Sequence, residues 1–116
     1  MIKPTFVENS LVPVILSFFA PIEINAITLG WYVFARGRLT PVVRQHETIH
    51  VHQYVETFLI GFPLIYFYDF MKGLIKYRDG KKAYKMIRFE QEAYECQQYA
   101  GYLVTRKAYS WIKYSV

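Results

Sequence analysis

The sequence has a single cysteine, Cys96, which excludes an intrachain disulfide and a zinc cluster built on thiolates. Acidic residues are few, nine against fourteen Lys and Arg, so the formal charge is +5. Long hydrophobic runs are missing too. Residues Asn9 to Ile22 are uncharged, and Leu11 to Ala20 imitates the apolar part of a signal peptide, but Pro13 interrupts it and Phe18 is not the small residue a cleavage site requires. A second uncharged run, Thr57 to Tyr68, carries Gly61 and Pro63 and is too short to span a bilayer. Both runs are expected to be buried or interfacial, which favours a cytoplasmic or peripheral membrane protein over a secreted one. There is no internal repeat, low-complexity segment or linker, so the 116 residues read as one domain, able to bury roughly two thirds of its unfolded surface.

Histidine is scarce as well, but its placement is informative. All three histidines fall between residues 46 and 52, in the order His46, Glu47, Thr48, Ile49, His50, Val51, His52, followed by Gln53. On a helix, His46 and His50 stand one turn apart and project from one face, an arrangement that can grip a single metal ion. Glu47 is rotated by about 100° from His46, beside the metal and within reach of a water on it, the position of a general base in a zinc hydrolase. Histidines on an apolar face are commonly core residues, but Glu at the second position and helix signals on both sides favour the metal.

Thr40 suits an N-cap and Pro41 the first helical position, while Gly61 and Pro63 are expected to end the helix. Within it Val51, Tyr54, Val55, Phe58 and Leu59 follow a core spacing, with His46, His50 and Gln53 on another face. Before it, Ile24 to Arg36 is rich in β-branched and aromatic residues and reads as a strand or hairpin, with Gly30 at a bend. Residues 1 to 20 suggest extended pieces or one short helix. After the motif, a second helix is expected from about Pro63 to Lys76, apolar nearly all round at Leu64 to Tyr68 and so buried on several sides or resting on a membrane. Arg78, Asp79 and Gly80 make the turn after it. A third helix is expected from Arg88 to about Arg106, where Phe89, Ala93, Cys96, Ala100 and Leu103 form an apolar stripe, and residues 110 to 116 form a final turn. The fold class is therefore mainly α within α+β, with three main helices and a short N-terminal strand or hairpin.

A catalytic zinc keeps three protein ligands and an open position, so a third ligand must come from another element. The 88 to 106 helix offers Glu90, Glu92 and Glu95. With Phe89 central in the stripe, Glu90 lies at about 100° and Glu92 at about −60°, which slightly favours Glu92, while Glu95 points away. Without the motif, each would read as an exposed carboxylate among basic residues.

His46 to Gln53 resembles the His-Glu-x-x-His-x-x-Gln helix of gluzincin metallopeptidases, and Arg88 to Tyr94 resembles their downstream helix. Small single-domain minigluzincins and CAAX-prenyl-protease-like enzymes share that scheme. The resemblance implies Glu90 as the third zinc ligand, a minimal zincin-like domain, and an edge strand at 24 to 34 beside a zinc cleft that takes a peptide or protein substrate. Tyr94 stands where many of these families have Asp, so it is a neutral candidate for the contact to a zinc histidine or for oxyanion stabilisation, the latter shared with Tyr99 and His52. Gln53 is expected to line the cleft or support a ligand. The function implied is a zinc-dependent metallopeptidase with Glu47 as base.

The alternative is a non-catalytic zinc-bound module that meets a membrane or protein partner. Its features are the aromatic segment 57 to 70 and the basic segment 71 to 88, where seven cations face one anion, Asp79. Nucleic acid is not the expected partner, because no helix-turn-helix, zinc-finger or RNP-like pattern accompanies the charge.

Overall fold

The computed structural model of the chain describes residues 3–17 and 24–116; the end of the N-terminal apolar run and Pro21 lie outside them. Strand β1 (Thr5–Val7) and a short helix α1 (Val12–Ser17) precede a hairpin of β2 (Ala26–Leu29) and β3 (Tyr32–Ala35). Gly30, at φ +65°, occupies the two-residue turn of that hairpin, where a positive φ turns the chain back at no steric cost. The sheet order is β1-β3-β2, with β1 parallel and β2 antiparallel to β3. This leaves β2 at an edge, directly beside the helix that carries the histidines.

That helix, α2 (Pro41–Glu56), starts as expected, with the Thr40 hydroxyl accepting from the Val43 amide at 3.2 Å. It stops at Glu56, five residues before Gly61. Phe58 N–H donates to Val55 O and Leu59 N–H to Tyr54 O, the paired bonds of a Schellman motif. Phe58 therefore takes the left-handed position usual for glycine, at φ 58°, and Leu59 follows at φ 65°. Leu59 packs back on Tyr54 and its neighbours, so hydrophobic closure holds a stop that backbone preference alone disfavours. The core spacing ends with it: Val55 and Phe58 are exposed.

Helix α3 (Gly61–Tyr77) begins at Gly61, so the residue expected to end one helix opens the next. Arg78 closes it in the left-handed region, and the Asp79 carboxylate accepts from the Lys81 and Lys82 amides to start α4 (Gly80–Met86). Gly73 is what lets α4 pack on α3, because a Cβ there would sit 3.0 Å from the Ala83 Cα. Helix α5 (Arg88–Cys96) has no cap on its own N-cap residue. Asp69 of α3 replaces it, accepting from the Arg88 amide at 3.1 Å and from the guanidinium at 2.9 Å twice. The expected helix from 88 to 106 is not continuous. It breaks after Cys96 and resumes as the single turn α6 (Tyr102–Thr105), with Gly101 at φ +77° between them. The Gln45 amide from α2 donates to the Cys96 and Tyr99 carbonyls at 2.8 Å each, satisfying acceptors that the break frees.

The core accounts for much of the aromatic content. Tyr54 stacks on Phe62 at 3.9 Å, Phe62 on Phe89 at 4.4 Å, and Phe89 meets the edge of Trp111 at 4.8 Å, which seats the terminal 3₁₀ turn (Ser110–Lys113). A second cluster joins Ile49 of α2 to Ala93 and Cys96 of α5, where small side chains let the two helices approach. The helix at Leu64 to Tyr68 is not buried on several sides: Leu64, Phe67 and Tyr68 face outward. No single helix among the described residues is long and apolar enough to cross a membrane, and α2 and α3, which pass together on length and composition, are bent by 111°. The radius of gyration, 13.5 Å, matches the roughly 13 Å expected of a compact chain this long.

Candidate metal centre

Helices α2 and α5 cross so that His46, His50 and Glu90 converge, all buried. Nε2 of His46 lies 3.0 Å and Nε2 of His50 3.1 Å from the same Glu90 oxygen, Oε1. Each imidazole is steadied at its other nitrogen, His50 Nδ1 by Gln53 Oε1 at 2.7 Å and His46 Nδ1 by Gln97 Oε1 at 2.8 Å. The Gln53 amide orientation is dictated by its surroundings, since its NH2 already donates to the Phe89 carbonyl at 3.1 Å and to Glu92 at 3.0 Å. Its carbonyl oxygen must therefore accept from His50 Nδ1–H, which leaves the Nε2 lone pair turned toward Glu90.

Lone pairs and a carboxylate oxygen do not rest 3 Å apart without a proton or cation between them. At His50 a proton can fill that place. Burial alone would lower the His50 pKa, but the Glu90 charge and hydrogen bond, aided by Glu47 and Gln53, outweigh it and raise the pKa to about 9. Burial likewise pushes Glu90 up, yet His50 and the hydrogen bonds from both imidazoles hold it far below the usual carboxylate range. The ligand atoms lie within 4.8 Å of one another, so the trio could hold a metal ion.

Glu47 sits one residue along α2 in the wall of the cleft. The Thr28 hydroxyl of edge strand β2 donates to its Oε2 at 2.7 Å and fixes the carboxylate against the sheet. On the far side, the Tyr66 hydroxyl of α3 donates to Glu90 Oε2 at 2.6 Å. Tyr94 packs edge-on against the His46 ring at 4.6 Å, and its hydroxyl lies 2.9 Å from that of Tyr84; both phenols line the cleft and burial raises their pKa values. The cleft has a volume of about 1240 Å³, and Ile27, Leu29, Phe62, Phe67 and Phe70 make much of its wall.

Glu92, which helical geometry had favoured as the third ligand, points elsewhere. It is fully buried and accepts from Arg106, Tyr102 and Gln53. Arg106 also makes two bonds to Glu56, tying α5 to the end of α2. The stripe through Phe89 is thus the face that packs on other helices, and Glu92 serves it as a buried ion pair. Tyr94 does not bond a histidine; Gln97 does, two turns after Glu90 on the same helical face. That seven-residue spacing was readable in the sequence. Thr28 and Tyr66 carried no comparable mark, one being a threonine in a β-branched segment and the other an aromatic among aromatics. Tyr99 is exposed and His52 lies beside Arg106 and Glu56; neither lines the cleft.

Comparison with protein-family models, curated proteins and solved structures yields no match to this chain.

Proposed function

We propose that the cleft is the active site of a zinc-dependent hydrolase of peptide or amide bonds, the reading that the gluzincin resemblance implies. The observation that carries it is the convergence of two imidazole Nε2 atoms on one carboxylate oxygen, each ring held by a glutamine at its other nitrogen. Separations of 3.0 and 3.1 Å are close to the ligand spacing of tetrahedral zinc, about 3.3 Å for bonds of 2.0–2.1 Å. His46, His50 and Glu90 would hold the ion. Zinc supplies Lewis acidity there, acidifying water and polarising a scissile carbonyl.

The chain's own residues do the rest. Glu47 accepts a proton from the attacking water and returns it to the leaving amine, and Thr28 keeps its carboxylate aimed while it does so. The Tyr84 and Tyr94 hydroxyls offer donors to developing negative charge. Strand β2, at the sheet edge and in the cleft wall, can add an extended peptide as a further strand. The competing reading is a metal-bound module that cuts nothing.

Two variants separate them. His46→Ala should lose stoichiometric zinc. Glu47→Gln should keep zinc while hydrolysis of a mixed peptide library falls at least hundredfold. Purified protein without metal at this trio overturns the zinc reading, and a Glu47→Gln variant as active as its parent overturns the mechanism.

A further inference from the structure

Helix α3 is apolar on its outer face as well as on the inner one, where Phe62, Ile65, Tyr66 and Phe70 pack on the core. Its buried residues are Phe62, Asp69 and Gly73, whereas Ile60 just before it and Leu64, Phe67, Tyr68, Met71 and Ile75 within it are exposed. On a helical projection those six fall within an arc of about 100°, opposite the side that carries Gly73, and the stripe runs for about 22 Å. Ile75 is 77% exposed and Leu64 67%. Folded chains rarely leave so large an apolar surface in water without a use for it. The bend before α3 adds to it, since the strained left-handed Phe58 is turned outward at 85% exposure.

Charge decides what the stripe meets. The C-terminal half of α3, the turn after it and helix α4 carry Lys72, Lys76, Arg78, Lys81, Lys82 and Lys85, all exposed, with Asp79 the one exposed acid among them. Lys72 and Lys76 border the stripe at about 80° and 120° from Leu64. A helix with an apolar face edged by cations matches a bilayer surface bearing anionic headgroups. At 17 residues, about 26 Å, α3 is shorter than a bilayer core and suits lying in the interface.

We propose that this face docks the protein on an anionic lipid surface, with the α3 stripe in the headgroup region and the lysines on lipid phosphates. Phe67 belongs to the stripe and to the cleft wall, and Lys81, Lys82 and Lys85 line the cleft. Docking thus places the cleft mouth at the membrane. The proposal stands independently of the hydrolase reading.

Co-sedimentation of the full chain with vesicles tests it. Vesicles of phosphatidylcholine and phosphatidylglycerol at 3:1 should bind the protein in 0.1 M NaCl, and pure phosphatidylcholine should bind it at least tenfold more weakly. Salt at 0.5 M should release it. Leu64→Ser with Ile75→Ser, both outside the cleft, should weaken binding at least tenfold with the circular dichroism spectrum unchanged, and Lys72→Ser with Lys76→Ser should do so only on the anionic vesicles. Failure to sediment with anionic vesicles in 0.1 M NaCl overturns the proposal, as does undiminished binding by both double variants. So does a dimer that Leu64→Ser with Ile75→Ser converts to monomer without any vesicle binding, because the stripe then covers a second copy.

Discussion

At the scale of single residues, the His46, His50 and Glu90 trio is held in place by groups outside it. Gln53 is fully buried, and its amide is locked between His50 on one side and Glu92 and the Phe89 carbonyl on the other. Removing that lock frees the His50 ring to rotate and changes the tautomer it prefers. Gln53→Leu should therefore weaken zinc binding by about 10- to 100-fold in a competition titration, with the circular dichroism spectrum unchanged. Proton competition is predictable in the same way. Because the Glu90 charge and hydrogen bond raise the His50 pKa to about 9, a metal ion held by the trio would have to displace that proton below this pH. Apparent zinc affinity should rise about tenfold per pH unit from 6.5 toward 9 and level off above it; an affinity that stays flat across that window would contradict the arrangement. His46 and His50 were readable from spacing alone, since one turn of helix puts them on one face whatever surrounds it. Glu90 and Glu92 were not separable that way. The choice between them depends on which side of α5 meets α2, a property of packing.

Among the elements, the informative places are the breaks. Helix α2 ends on a Schellman motif whose left-handed position holds Phe58 rather than glycine, and the side chain recovers little by burial because it is mostly exposed. Phe58→Gly should raise stability by about 1 kcal/mol, a melting shift of about 4 °C for a chain this size, readable by calorimetry. An unchanged or lowered melting temperature would show that Phe58 is held by something other than the cap. The hairpin at Gly30 and the start at Thr40 and Pro41 were legible because turn and cap chemistry is local. The stop after Glu56 and the break after Cys96 were not. The first depends on Leu59 finding Tyr54 and the aromatic core, the second on Gln45 of another helix taking the carbonyls that α5 gives up.

For the whole molecule, the centre joins parts of the chain that only folding brings together. His50 and Glu90 are forty residues apart, Glu47 is held by a strand that precedes α2, and Glu90 by a tyrosine of α3. A metal bound here binds the folded chain and not the unfolded one, so occupancy must stabilise the fold. With free zinc at a thousand times its dissociation constant the gain is about 4 kcal/mol, or roughly 15 °C in melting temperature. Thermal melts with zinc and with a chelator should differ by that order in the parent and coincide in His46→Ala. Equal melts in the parent would show that the trio holds no metal.

The sequence by itself determined the one-turn histidine pair, the neighbouring acid, the cap that starts their helix and the hairpin ahead of it. Each depends on residues within a few positions of one another, where helical periodicity and turn sterics act regardless of the rest of the chain. Only the tertiary structure decided that Glu90 faces the histidines while Glu92 pairs with Arg106, that Gln53 and Gln97 orient the rings, and that Thr28 and Tyr66 hold the two carboxylates. Those outcomes follow from how α2, α3, α5 and β2 pack. A side chain's partner across thirty or forty residues is set by which faces bury together, and local spacing carries no record of that.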